Sequence, residues 1–449
     1  MEPTNANTDE TFEVVIERII PGGLGLAHAN SRTVMVALAA PGDRLRVRVD
    51  RVKGNVAFAS IVEILEPAPV RVEPPCPYFG RCGGCNFQQL SYQAQLAAKI
   101  EIIRDCLRRL GGIEEIPGFE ITPAPNDWHY RARAQWQYAS VRRWLGYFEA
   151  NSRDVCDVAE CAVLVPELQR ELERLRERMT QGELPDDARY FRAVVGDEGV
   201  SVADGVRSAR GEQNWGSSPT VRAGPDLTEI TRSIRGERYH LNANSFFQAN
   251  LDLVPALIDS ALGDARGETA IELYSGVGLF TVPLARRFAN VIAVEDDAAA
   301  SDFARRNLTD AGLSNAEIVN EDVADWLENF ERGGKVPTSR ERRTGLERKR
   351  PACNESDDAT KSAPATETVA LQSIDLLLLD PPRTGAESRV ISGIVRLKPK
   401  RICYVSCDPA TLARDLKKLI AGGYSISSIQ AFDMFPQTHH VETVVHLTG

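Results

Sequence analysis

Four short runs in the C-terminal half of this chain, at 269–273, 290–294, 374–379 and 401–405, are almost continuously apolar and are separated by helix-length segments. A strand buried on one face alternates apolar with polar residues. A strand buried on both faces does not, and parallel strands covered by helices on each side are buried that way. From about residue 241 the pattern therefore predicts an α/β architecture, a doubly wound Rossmann-like sheet. Such a sheet takes its ligands in the crevice beyond the C-terminal ends of its strands, so residues at those ends matter most.

The first run leads into Tyr274-Ser275-Gly276-Val277-Gly278-Leu279, and Glu295 stands at the end of the second run. Glycines let a ligand approach the backbone, and a carboxylate at the second strand end can hold ribose hydroxyls. The third position of a dinucleotide-binding GxGxxG is Thr281, so a nicotinamide-binding fold stays open as an alternative. Asp322 follows the third candidate strand. It suits either an adenine edge or, by spacing alone, a helix cap.

Asp380, in Asp380-Pro381-Pro382-Arg383, and Cys407, in Ser406-Cys407-Asp408-Pro409, end the next two strands. Both should face the space in front of Gly276. Most free cysteines are small buried hydrophobes, as Cys403 inside its strand is expected to be. Cys407 instead precedes a helix predicted over 410–420, where the helix N-terminus should lower the thiol pKa. Glu442 lies in an apolar final strand, where a lone glutamate ordinarily faces solvent. Neighbouring residues on a strand point to opposite faces, so His439 and His440 are not expected to bind a metal together.

Upstream, residues 11–66 read as short strands broken by turns, a small β-barrel preceded by a flexible tail at 1–10. In Arg44-Leu45-Arg46-Val47-Arg48-Val49 the alternation sets three arginines opposite three apolar residues. That face is either solvated or an RNA contact. A proline-rich linker, 67–75, opens a mixed α/β central domain, 67–240. Within it Ser91 is expected to cap an amphipathic helix with Leu96, Ile100, Ile103, Leu107 and Leu110 on one stripe. Turns are expected at 196–199 and around Pro219. The domain at 241–449 is interrupted at 333–368 by a polar segment without aromatic residues, expected to be a disordered insertion.

Nine cysteines and no signal peptide or membrane span argue for reactive thiols or metal ligands in the cytoplasm rather than disulfides. Cys76, Cys82 and Cys85 form a close ligand set, with Cys156 and Cys161 as candidate fourth ligands. A single CxxC favours iron–sulfur over a zinc ribbon. A net charge of -10 excludes a protein that coats nucleic acid by bulk attraction. No feature points to an obligate protein partner or a membrane, and a monomer is expected.

Together these motifs resemble the RNA 5-methyluridine (uracil-5) methyltransferases, especially the bacterial branch that modifies 23S ribosomal RNA. The resemblance runs along nearly the whole chain. It implies that 11–66 is a TRAM domain, an OB-like RNA-binding barrel. It implies a 4Fe-4S cluster on Cys76, Cys82, Cys85 and Cys161, the last in Cys161-Ala162-Val163-Leu164-Val165-Pro166. It implies S-adenosylmethionine contacts from Gln248, in Phe246-Phe247-Gln248-Ala249-Asn250, and from Tyr274, Glu295, Asp322 and Asp380. It assigns the nucleophile to Cys407 and the base to Glu442. Ser275 and Leu279 depart from the family pattern, in which cysteine and asparagine are common. The substrate implied is RNA, ribosomal or transfer. A nicotinamide and iron–sulfur oxidoreductase and a non-catalytic RNA-binding protein are the rival readings.

Overall fold

The computed structural model describes residues 10–206, 228–331 and 373–449; the expected insertion at 333–368, the turn around Pro219 and all but the last residue of the tail lie outside them. Strands β1 (Thr11–Val15), β2 (Arg18–Ile20), β3 (Leu24–Ala29), β4 (Arg32–Val36), β5 (Arg44–Lys53) and β6 (Val56–Glu66) form one sheet, ordered β1-β5-β6-β4-β3-β2. The alternation in β5 dictates its packing. Leu45, Val47 and Val49 are fully buried against Val14, Val34 and Val36. The arginines face outward, but not as a free basic patch: Arg44 pairs with Glu13 and Glu66, and Arg46 with Glu13 and Glu63.

Helix α1 (Tyr92–Arg109) follows, with Ser91 at its N-cap but making no side-chain capping bond. Its buried stripe also departs from the expected one. Gln95, Lys99 and Ile102 join Leu96, Ile103 and Leu107, while Leu110 is exposed. Contacts on two sides, with β2 and with the last helix of the chain, rotate and widen the buried face. A two-residue strand, β7 (Ile121–Thr122), comes next.

The strands β8 (Arg133–Ala139), β9 (Trp144–Phe148), β10 (Val155–Asp157), β11 (Tyr190–Val195) and β12 (Val200–Gly205) make an antiparallel sheet, ordered β10-β9-β8-β11-β12. Helix α2 (Pro166–Gln181) packs on one face of it, burying Leu168, Leu172 and Leu175 against Ala134, Trp136 and Tyr138. A hairpin, β13 (Ile230–Ile234) and β14 (Glu237–Leu241), leads into the last unit.

There, β15 (Gly267–Leu273), β16 (Phe288–Glu295), β17 (Ala316–Asn320), β18 (Leu376–Leu379), β19 (Arg401–Ser406), β20 (Ser425–Phe432) and β21 (Glu442–Thr448) join β7 in one sheet. The order is β17-β16-β15-β18-β19-β21-β20-β7. The strands from β17 to β19 run parallel, and β21 is antiparallel to both of its neighbours. The uninterrupted apolar runs are explained by two separate cores. Ile271, Leu273, Leu377, Leu379 and Tyr404 enter one, with α1, α6 (Val323–Glu331), α7 (Ser388–Leu397) and α8 (Pro409–Ala421). Ala270, Leu376, Leu378, Cys403 and Val405 enter the other, with α3 (Val254–Leu262), α4 (Thr281–Ala285) and α5 (Ala298–Asp310). Each fully buried Leu or Val contributes about 1.5–3 kcal/mol, so both helical layers are held firmly to the strands. Helix α1 and β7 precede the last unit in sequence by more than a hundred residues and still belong to its layers.

Candidate active site

At the end of β15 the chain turns sharply, with Tyr274 at φ 63, Gly276 at φ 55 and Gly278 at φ 88. Left-handed backbone is open to glycine but strained for tyrosine, and something must hold it. Glu295 does so. Its Oε2 accepts the Gly276 N–H at 2.7 Å and its Oε1 the Asp297 N–H at 2.9 Å. Burial pushes its carboxyl up to about 7. Asp322 is a helix cap, as its spacing suggests, its Oδ1 accepting from the amides of Ala324 and Asp325 at 3.0 Å each.

Gln248 is buried beside buried Phe247, whereas Phe246 is 58% exposed. Ser275 Oγ and both amide atoms of Asn250 are buried without a hydrogen-bond partner among the described residues. Unpaired buried polar atoms are costly in a protein by itself and mark a place for a ligand. Leu279 is buried, and its carbonyl accepts from Tyr239 Oη at 3.3 Å.

A further group of candidate residues stands at the ends of β18, β19 and β21. Ser406 pairs with Thr443 in the antiparallel ladder, so the next residues outward, Cys407 and Glu442, lie across from one another at the strand ends. Asp380 ends the neighbouring strand β18 and is within electrostatic range of both. Glu442 is only 2% exposed and its Oε1 has no partner, contrary to the solvent-facing position its strand pattern suggests. The reason is its place on β21, an interior strand of the sheet. Burial and then Asp380 hold its carboxyl well above the usual range. Asp380 itself is pushed up to about 7 by burial.

The expected lowering of the Cys407 pKa does not occur. Burial and then Glu442 push the thiol up, and Asp408 adds to the rise. Helix α8 does begin beside Cys407, but the Asp408 carboxylate takes the N–H groups of Ala410 and Thr411 and cancels the field they would exert. The histidine pair also departs from its strand-based reading. His439 and His440 lie on the loop before β21, and their ring centroids are 4.2 Å apart. Burial lowers His439 to about 4 and His440 to about 2, so both rings are neutral.

Two arginines of the site were not singled out by sequence. Arg383 is exposed and acts electrostatically on Cys407, Glu442 and both histidines. Its position directly after Asp380-Pro381-Pro382 was the available signal. Arg133, on β8, sits with its guanidinium 5.5 Å from the Phe246 ring centroid. Only the docking of the central sheet brings it there.

A second cluster lies apart from these strand ends. Cys76, Cys82, Cys85 and Cys161 line one small cavity together with Arg131 and Tyr147. Cys156 is buried on β10 and does not line it. Burial pushes Cys82 up to about 12 and Cys85 up to about 11. Among the described residues, no three or more His, Cys, Asp or Glu side chains converge closely enough for a single metal ion. No described helix is long and apolar enough to cross a membrane.

The sequence pattern of the tRNA (Uracil-5-)-methyltransferase family matches residues 227–332 and 366–449, and that of the TRAM domain matches 7–62. A 23S rRNA (uracil(1939)-C(5))-methyltransferase of Alkalilimnicola ehrlichii is 31% identical, over 97% of this chain and 96% of that protein. An uncharacterized RNA methyltransferase of Thermotoga maritima is 30% identical, over 97% and 98%. Among solved structures, the Pyrococcus abyssi tRNA (uracil-54, C5)-methyltransferase in complex with S-adenosyl-L-homocysteine aligns with a TM-score of 0.70 and 25% identity. It covers 97% of this chain and 100% of that one. Along nearly its whole length, therefore, the chain belongs to the RNA uracil-5 methyltransferases, S-adenosylmethionine-dependent enzymes that methylate carbon 5 of uridine in RNA.

Proposed function

We propose that this enzyme acts on a uridine of 23S ribosomal RNA, with Cys407 as nucleophile and Glu442 as base. The observation that carries the reading is the facing of Cys407 and Glu442 at the ends of β19 and β21, beside Asp380 and the glycine loop. Membership of the family sets aside the nicotinamide-dependent and non-catalytic readings. For the cofactor, the residues are Gln248, Tyr274, Glu295, Asp322 and Asp380; Glu295 holding the glycine loop and the unpaired Ser275 Oγ within that loop support the reading. S-adenosylmethionine, when bound, supplies an electrophilic methyl group.

Carbon 5 of uracil is too weak a nucleophile to react directly. The Cys407 thiol gives up its proton to solvent, and the resulting thiolate adds to carbon 6, forming the S–C6 bond and moving the pyrimidine electron pair toward carbon 5. After carbon 5 has been methylated, Glu442 accepts its remaining proton, the S–C6 bond breaks, and the 5,6 double bond returns. A raised carboxyl in a dry site suits this second step, because its conjugate base is stronger than an exposed carboxylate. The target base must leave its stack to reach Cys407, and exposed Arg383 offers a cation to the displaced nucleotide.

The four cavity-lining cysteines are proposed to hold a 4Fe-4S cluster. The four thiols line one cavity together, and a set of four cysteines is the donor set such a cluster takes. Arg131, lining the same cavity without a carboxylate partner among the described residues, supplies a counter-charge to an anionic cluster. When bound, such a cluster crosslinks residues 76–85 to the loop at Cys161.

The test is covalent trapping. RNA carrying 5-fluorouridine at the target should form a denaturation-resistant adduct with the wild type and none with Cys407→Ala. Absence of adduct from active wild type removes Cys407 as nucleophile. Mapping 5-methyluridine in RNA from a deletion strain tests the substrate: loss from transfer RNA alone would overturn the ribosomal assignment.

A further inference from the structure

The loop Asp433–Val441, which delivers Glu442 to the site, is gripped from outside the methyltransferase sheet at every turn. From α1, Lys99 forms a fully buried ion pair with Asp433 and donates to the Phe435 carbonyl at 3.0 Å. Gln95, one helical turn earlier, accepts from the Gln437 amide and donates to Gln437 Oε1, both at 2.9 Å. Tyr130, just before β8, donates to the Pro436 carbonyl at 2.9 Å. The segment directly after Cys85 closes the grip. The amides of Asn86 and Phe87 donate to the Gln437 carbonyl at 3.1 and 3.0 Å. The Asn86 side chain accepts from the His439 amide at 3.0 Å and meets His439 Nδ1 at 2.9 Å.

We infer that Asn86 is a positioning residue for Glu442, and that the cysteine cavity acts on catalysis through it. Gln437 has φ 66, a left-handed conformation that a non-glycine residue keeps only when its surroundings hold it. Glu442 opens β21 opposite Phe432 of β20, and its Oε1 has no partner, so its backbone is held by the ladder on one side and by the loop on the other. The loop takes three of its bonds from Asn86, next in sequence to Cys85, and one from Phe87. The inference rests on the proposed role of Glu442 as base.

The experiment compares full-length wild type, Asn86→Ala, Asn86→Asp and Glu442→Gln. Amide hydrogen exchange of 434–441 should quicken about tenfold in Asn86→Ala, as expected for the loss of about two hydrogen bonds. Exchange elsewhere in the sheet should be unchanged, and Asn86→Asp, which keeps the acceptor for the His439 amide, should recover part of the protection. On ordinary uridine RNA, Asn86→Ala should lower kcat with little change in KM and accumulate covalent adduct, because addition proceeds and release stalls. Emptying the cysteine site of wild type with a chelator should quicken exchange in the same loop. Unchanged exchange in Asn86→Ala, or quickened exchange with kcat and adduct like wild type, overturns the inference. Absence of adduct from Glu442→Gln, with the loop exchange altered as described in Asn86→Ala, overturns the assignment of the base instead.

Discussion

Glu442 and Cys407 are poor at ionising where they stand, because both are buried and stand close to further carboxyl groups. Burial and Asp380 raise the Glu442 carboxyl, and burial and Glu442 raise the Cys407 thiol. The site in the free enzyme therefore favours neutral groups, and methylation should rise with pH from the acid side as both become able to ionise. The same raised carboxyl has a stability consequence. Below the usual glutamate range both folded and unfolded chains carry the proton, and the native advantage is complete. It is lost as pH rises toward the folded pKa, because the unfolded chain ionises freely and the folded one does not. Glu442→Gln should thus raise Tm by about 2–4 °C at about pH 8, with a smaller rise at about pH 5. An equal difference at both values would show that the carboxyl ionises normally. Asp408 offers a finer probe, since Asp408→Asn keeps a capping oxygen for Ala410 and Thr411 while removing the charge beside the thiol. Alkylation of Cys407, followed by peptide mass spectrometry at about pH 8, should quicken a few-fold in that variant.

Among the elements, β5 has a pattern that fixes its packing and leaves its function open. Its alternation places Leu45, Val47 and Val49 inside and the arginines outside, yet Arg44 and Arg46 are already paired with Glu13, Glu63 and Glu66. Those carboxylates come from β1 and β6, neighbours only in the folded sheet. Replacing Arg46 and Glu63 together by alanine leaves net charge untouched. RNA affinity should stay within about twofold and the salt dependence should not change. A shallower salt slope would show that Arg46 leaves its carboxylates for a phosphate. Helix α1 carries the converse lesson. Leu96, Ile103 and Leu107 of its expected stripe are buried, but Gln95 and Lys99, outside that stripe, are buried too because their partners at 433–437 lie more than three hundred residues on.

At the scale of the molecule, the sheet of the last unit gathers α1 and β7 from the region before the central sheet, and the loop before β21 reaches back to Asn86 and Tyr130. The central region is thus tied to the loop that leads into β21 of the methyltransferase sheet. The cysteine assignment is tested at this scale. Purified anaerobically, the protein should contain about four irons with matching sulfide, the composition of a 4Fe-4S cluster, and absorb in the visible. Cys161→Ser should lose both and Cys156→Ser should keep them, since Cys161 lines the cavity and Cys156 does not. Stoichiometric zinc in place of iron would sink the proposal.

The doubly wound sheet, the TRAM barrel and the cysteine trio were legible in sequence because each rests on local information. Apolar runs, turn residues and close spacing are properties of adjacent residues. The strand ends carrying Gly276, Asp380 and Cys407 were legible too, since a parallel sheet brings its C-terminal ends together. Tertiary structure alone decided the burial of Glu442 on an interior strand, the upward shift of Cys407 and the approach of Arg133 to Phe246. It also decided the clamp on the loop that carries Glu442. Those depend on which distant surfaces exclude water from a group and which charges share its space, and both are set by packing between segments far apart in the chain.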